Sequence, residues 1–280
     1  MQKEDLMGNN DTYLDQLSRR GYAELPIRCP DWELMRLADA AFRAVIEKLA
    51  EEVLEETQLL QHGIPNETPL GFTHKRFLMK GEERIGDPKW YCHFHPDILE
   101  KLNRVAALCG ENPMGFFISY AQTLYEEAQR VAVAAIEKIS GGKDTPLYQA
   151  YCDGNDQVPH LILRFLAYEK ISSGEPISAR GHFDKSGGTI PLYETGPGLH
   201  IGTSAETASP VGWARLKSVF MAGCALQESF GITPGWHFVQ EPSGGHVSGL
   251  IARGAIIAFI DPIEPFTVSV EKAHTSPKVT

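Results

Sequence analysis

Two residues of the 280-residue chain stand out by type and spacing: His182 and Asp184, in the run RGHFDKSGG. Residues two apart on a strand point to the same face. One imidazole nitrogen and one carboxylate oxygen are then placed to grip one metal ion. A third ligand has to come from a distant segment. Two histidines and a carboxylate on one face leave three coordination positions open, which suits non-haem Fe(II) chemistry with O2. The pattern is short. In a chain with ten histidines, a surface turn that happens to contain it is the competing reading.

Other chemistry is weaker or absent. His93 and His95 form a second same-face pair in HFH, but no carboxylate stands in a matching context. The pair reads as part of a loop that lines a pocket or faces solvent. His62, His74, His160, His200 and His274 have no partner in sequence. Cys29, Cys92, Cys109, Cys152 and Cys224 are odd in number, widely spaced and free of CxxC. That spacing argues against a disulfide frame and against a thiolate zinc site, and buried free thiols are the better reading. No GxSxG, Walker A or GxGxxG occurs.

Composition narrows the class. Lys and Arg number 26 against 36 Asp and Glu, a formal net charge of −10. The only adjacent basic pairs are Arg19-Arg20 and Lys75-Arg76. Nucleic acid is therefore not expected as a partner, since duplex binding needs clustered cations. No run of 18 apolar residues is present, so no membrane span is expected. The first twenty residues are polar, and the expected location is the cytoplasm.

The elements that must position these residues fall into two textures. Near 21–27, GYAELPI alternates like a strand after a short helical signal. Asp31 has the form of an N-cap before WELMRLADAAFRAVIEKLAEEVLEE, with Leu34, Leu37, Ala41, Val45, Leu49 and Leu54 at helical spacing. Residues 61–98, rich in Gly, Pro, His and aromatics, read as a long ordered loop. Helices are expected near 96–110 and over 114–139, closed by Gly141-Gly142. After about 145, short β-type runs alternate with Gly/Pro/Ser turns: HLILRFLAYE, GTIPLYE, GLHIGT, WARLKSVFMAG, WHFVQ and LIARGAIIAFID. The expected fold is α+β and mainly β: a distorted double-stranded β-helix, or jelly roll, with packed N-terminal helices. A single domain over 1–280 is expected, with a mainly helical part over 1–145, a jelly-roll core over 146–265 and a tail over 266–280.

The order of these features resembles the isopenicillin N synthase-like branch of the 2-oxoglutarate/Fe(II)-dependent oxygenases. The likeness is carried by His182-Phe183-Asp184, the GLHI strand after it, a distal histidine, and RGAIIAFIDP at 253–262. LILRFLAYE, with Arg164 and Tyr168, is similar to the family's strand before the HxD. Trp213 is similar to its later tryptophan, and GYAELPI and DPKWYCHFHP to its opening segments. The resemblance implies His182, Asp184 and a distal histidine as Fe(II) ligands. His237 lies 55 residues after His182, within WHFVQEP, and is favoured by the family spacing. His246 is the alternative third ligand.

The resemblance further implies 2-oxoglutarate and O2 as cosubstrates. Arg253 would take the distal carboxylate of 2-oxoglutarate, and Tyr168 would add a phenolic donor. Two departures stand out. Ala255 replaces the usual Ser, and Leu166 replaces an Asn. The implied reaction is oxidation of a C–H bond of a small molecule, with hydroxylation as the default outcome and desaturation or cyclisation as variants. A filled carboxylate position, Asp184, implies no halogenation. Thr73, Lys75, Arg76, Trp90, His93 and Tyr193 are the candidate substrate contacts. Three alternatives stay open: a non-haem Fe(II) oxidase of the same fold that does not use 2-oxoglutarate, a non-catalytic jelly-roll binding protein, and a zinc hydrolase.

Overall fold

A computed structural model describes residues 12–48, 57, 69–76, 78–80, 83–85, 87–108, 113–169, 177–211, 217–240 and 251–264. Six α-helices stand among them: α1 Tyr13–Arg20, α2 Trp32–Ile46, α3 Leu99–Leu108, α4 Pro113–Ser140, α5 Pro146–Tyr151 and α6 Cys224–Phe230. The N-terminal strands are β1 Tyr22–Leu25, β2 Gly71–Lys75, β3 Leu78–Lys80, β4 Glu83–Ile85 and β5 Lys89–Phe94. Next come β6 Leu161–Glu169, β7 Ile177–Phe183, β8 Gly188–Glu194 and β9 Leu199–Gly202. The last are β10 Ser209–Pro210, β11 Ser218–Ala222, β12 Trp236–Gln240 and β13 Ile251–Ile260.

The helix starts follow local chemistry. The Asp31 carboxylate accepts from the backbone N–H groups of Glu33 and Leu34, at 2.9 and 3.1 Å, and so caps α2. Thr12 and Asp15 form a reciprocal capping box on α1. The left-handed Gly21, φ 75°, ends that helix and turns the chain directly into β1.

A seven-stranded sheet runs in the order β1-β11-β8-β13-β6-β5-β2, and a four-stranded sheet runs β10-β9-β12-β7. All their pairings are antiparallel. The two sheets face each other as a double-stranded β-helix, the jelly roll expected from the strand pattern. The long central strands alternate sharply. On β6, Leu163, Phe165 and Ala167 join the main apolar core against α2 and α4, while Arg164, Leu166 and Tyr168 face the space between the sheets. Phe42, Phe72, Phe117 and Phe165 meet in that helix-side core, with ring centroids 4.9–6.0 Å apart.

Two differences from the sequence reading matter for the site. The segment 61–98, expected to be a loop, contributes β2 and β5 to the large sheet. Its KWYCHF run is rich in aromatics and pairs with β6 over its whole length. The short helices α5 and α6 are absent from the sequence reading. Cys29, Cys92, Cys152 and Cys224 are buried free thiols. Cys109, Trp213, the expected helical stretch after residue 48 with Leu49 and Leu54, His62, His246, His274 and the tail over 266–280 lie outside the described residues. Among the described residues, no helix is long and apolar enough to cross a membrane.

Candidate metal centre and its cavity

His182 is the penultimate residue of β7, and Asp184 follows directly after that strand. His237 stands opposite His182 in the β7–β12 pairing. Cross-strand partners point to the same face, so register alone brings the two rings together, with centroids 4.3 Å apart. Each ring nitrogen has a distinct task. His182 Nδ1 lies 2.8 Å from the Arg180 carbonyl and His237 Nδ1 lies 3.3 Å from the Gly235 carbonyl. A carbonyl only accepts, so Nδ1 carries the proton and each Nε2 lone pair is turned inward. His182 Nε2 lies 3.7 Å from Asp184 Oδ1, and His237 Nε2 lies 3.7 Å from Asp184 Oδ2. Those spans are too long for hydrogen bonds and of the size that one ion with bonds near ~2.1 Å closes. The three ligand atoms lie within 4.8 Å of one another.

Protonation suits a cation here. Burial, reinforced by the neighbouring His237, depresses His182 to about 4, so its imidazole is neutral at pH 7. Burial pushes Asp184 upward, but the surrounding His237, His182 and the Thr189 hydroxyl outweigh it and hold the carboxyl below its ordinary value. Thr189 donates to Asp184 Oδ2 at 2.7 Å. Two imidazole nitrogens and one anionic carboxylate thus converge on one point. This donor set fits a divalent metal with an open face.

The backbone around Asp184 is tightly held. Its carbonyl accepts from the Cys224 N–H, at 2.9 Å, at the start of α6. Gly223 makes this approach possible, because a Cβ there would stand 1.9 Å from the Ser186 carbonyl oxygen. Gly181 does the same on the other side. A Cβ there would lie 2.4 Å from the Trp236 ring, which packs edge-on against Phe183.

The triad opens into a cavity between the sheets that is also lined by Lys89, Arg164, Tyr168, Glu194 and Arg253. Arg253 is 1% exposed. Its Nη2 is ion-paired with the buried Glu194 carboxylate, and its Nε points to the Gly196 carbonyl at 3.4 Å. Its guanidinium lies 5.9 Å from the Tyr168 ring centre. Burial raises the Tyr168 hydroxyl to about 12 against the pull of Arg253, so it remains a neutral donor.

The six residues read as substrate contacts are placed differently from one another. His93 is buried on the cavity side of β5, where its Nδ1 faces the Pro69 carbonyl, at 2.9 Å, and its Nε2 accepts from Arg164 Nε at 2.6 Å. It meets the cavity through Arg164. Thr73 and Lys75 lie on the edge strand β2, and Arg76 follows it, exposed. Trp90 is on the helix side of β5, stacked on His74 at 3.8 Å and donating to Glu169. Tyr193 also faces the helices, 4.7 Å from the Trp32 ring.

A bulge explains the last case. Ile257 pairs with Pro191 but Ile256 pairs with Tyr193, so Leu192 is an extra residue in β8. Simple alternation from Thr189 and Pro191 would aim Tyr193 into the cavity; the bulge aims Glu194 there instead. Lys89 and Glu194 are the charged cavity residues that sequence reasoning missed. Arg164 was legible only as part of a strand motif.

Solved structures share this architecture. A Shewanella oneidensis protein described as a candidate oxygenase matches with a TM-score of 0.63 and 20% identity, over 94% of this chain and 88% of that one. A full-length Neurospora crassa protein, solved in complex with alpha-KG, matches with a TM-score of 0.63 and 16% identity, over 94% and 84%. The dioxygenase for auxin oxidation 1 from Arabidopsis thaliana, a 2-oxoglutarate complex, matches with a TM-score of 0.59 and 14% identity, over 94% and 93%. At these identities the likeness establishes the fold. No family model and no curated protein matches the chain.

Proposed function

We propose that the protein is a non-haem Fe(II) oxygenase that uses 2-oxoglutarate and O2 to oxidise a C–H bond of a small molecule. The observation that carries this reading is the convergence of His182, Asp184 and His237 on one cavity that also holds a buried arginine. The fold shared with the alpha-KG and 2-oxoglutarate complexes supports it. The HxD-to-Arg pattern favours the isopenicillin N synthase-like branch.

His182, Asp184 and His237 would hold the iron. Fe(II) with a 2-oxo acid and O2 supplies the oxidising power, with succinate and CO2 as coproducts. The chain's own contribution is orientation and exclusion. The two Nδ1–carbonyl bonds fix the orientation of both rings and aim each Nε2 inward. Thr189 fixes the Asp184 carboxylate. Arg253 and the Tyr168 hydroxyl would receive the distal carboxylate of the cosubstrate, since a guanidinium presents a planar fork of donors. The apolar wall of Leu199, Met221, Val239 and Ile257 keeps water from the reacting face. Hydroxylation is the default outcome, and halogenation is not expected with Asp184 in its place.

A second reading, an oxidase that does without 2-oxoglutarate, is favoured by one specific contact. Glu194 already neutralises Arg253, and Ala255 offers no hydroxyl. One experiment tests both readings. In an anaerobic titration with Fe(II) and then 2-oxoglutarate, the weak visible charge-transfer band of the chelate is expected in the parent and absent in His182→Ala. Fe(II) uptake without the band would move the oxidase reading to first place. No Fe(II) uptake at all would leave a binding protein.

A further inference from the structure

The cavity wall carries three cations and two carboxylates, and the charges do not match. Glu194 is committed to Arg253, and Asp184 belongs to the triad. Lys89 and Arg164 remain. Lys89 has no hydrogen-bond or ion-pair partner among the described residues; its Nζ lies 5.5 Å from the Tyr168 ring centre. Arg164 spends Nε on His93 and rests its guanidinium 4.2 Å from the Phe259 ring centre and 5.6 Å from that of Tyr91. No described residue accepts from its terminal nitrogens.

His93 accepts from Arg164, and the Pro69 carbonyl in turn fixes the His93 ring, so the guanidinium is held rigidly with its fork toward the cavity. A partly buried cation with no ion pair of its own among the described residues costs stability, and such a cost persists where function requires it. We infer that Lys89 and Arg164 form a carboxylate-binding site beside the triad, and that the molecule oxidised is a small monocarboxylic acid with an apolar body.

The charge balance points to one negative charge on that molecule. A divalent metal, its aspartate and a dianionic cosubstrate leave a single negative charge. Lys89 and Arg164 bring two positive ones, so one further anion closes the balance. The rest of the wall, Leu166, Leu199, Met221, Val239, Ile257 and Phe259, is apolar and suits a hydrocarbon body. The assignment of this acid as the oxidised molecule rests on the oxygenase reading; the anion site itself does not.

The test is calorimetric and needs no turnover. Hexanoate and phenylacetate, each beside its amide, are titrated into the metal-free protein and into Zn(II)-loaded protein with saturating 2-oxoglutarate. The acids are expected to bind at least tenfold more tightly than the amides. That preference is expected to vanish in Lys89→Met and in Arg164→Gln and to survive in Lys89→Arg. Ligand-free Lys89→Met is expected to melt no lower than the parent, because no described residue gives the ammonium a hydrogen bond or ion pair to lose; this separates a ligand site from a structural cation. Acids that bind no better than amides overturn the inference. So does a loss of 2-oxoglutarate binding in Lys89→Met and Arg164→Gln with none in Arg253→Met, which would make the pair the cosubstrate's anchor. Acid binding with no metal uptake would keep the anion site and remove the oxygenase reading. Metal and 2-oxoglutarate uptake without acid selectivity would do the reverse.

Discussion

Replacing Thr189 by Val removes one hydroxyl and leaves the shape of the side chain. Thr189 is 1% exposed and donates to Asp184 Oδ2 at 2.7 Å. A hydrogen bond to a charged group contributes about 1.5–3 kcal/mol, and that range converts to roughly 10- to 100-fold in an equilibrium constant. Loss of an outer partner of a metal ligand typically costs the same ~10- to 100-fold in metal affinity. The two estimates agree because they describe one event: without the hydroxyl, the Asp184 carboxylate is free to rotate away from both Nε2 atoms. Ser186 loses its 3.3 Å contact with the Thr189 hydroxyl but keeps the Gly188 carbonyl at the same distance, so little else is left unsatisfied. The assay is anaerobic Fe(II) or Co(II) titration by calorimetry, with circular dichroism to show that the fold is intact. Thr189→Ser, which keeps the donor, should recover most of the affinity. A Thr189→Val protein that binds metal within twofold of the parent would refute the reasoning, and with it the role of Asp184 as an oriented ligand.

Three further outcomes are expected. Glu194→Gln breaks a buried ion pair and strands Arg253, so the free protein should melt lower, while 2-oxoglutarate should raise its melting temperature more than it raises the parent's; an equal ligand-induced rise in both would show that Glu194 does not compete for Arg253. Burial, reinforced by nearby Asp184 and opposed by the Gly187 N–H, lifts Asp261 to about 7. Its native-state pKa lies above the unfolded value, so ionisation disfavours the native state: stability should fall as pH rises from about 4 to about 7, with the full cost, up to a few kcal/mol, present above that window. Asp261→Asn should flatten the melting-temperature profile of metal-free protein over that window, and parallel profiles would rule this out. Burial and the adjacent Arg164 lower Lys89 to about 8, against the pull of Asp87 and Asp184 and with Lys75 also facing it. Lys89 is charged below that pH, so phenylacetate affinity should weaken as pH rises through it, and Lys89→Arg should abolish the decline.

Much of the site was readable because its signals are local. HxD at a strand's end brings two candidate ligands to one face through the two-residue period. WHFVQ read as a strand, and cross-strand register brings its histidine beside His182. Arg253 opening an apolar strand was equally plain. The helix 113–140 and the long strands 161–169 and 251–260 were legible because their periodicity is sustained. The segment 61–98 was not, since its strands are short and interrupted and form by pairing with β6. Lys89 therefore looked like a loop residue.

The sequence by itself determined the fold class and the residues on which a metal centre would be built, because strand alternation and the HxD period act over a few residues. Only the tertiary structure decided which side chains surround that centre. The extra residue Leu192 exchanges Tyr193 for Glu194 at the cavity, and no local rule announces a bulge set by the neighbouring strand. Pairing of β5 with β6 sets Lys89 opposite Tyr168, on the same cavity wall as Arg164, which lies 75 residues further along the chain. Charge balance in a cavity depends on which groups are buried together, and burial is a property of the packed sheets, not of the order of residues.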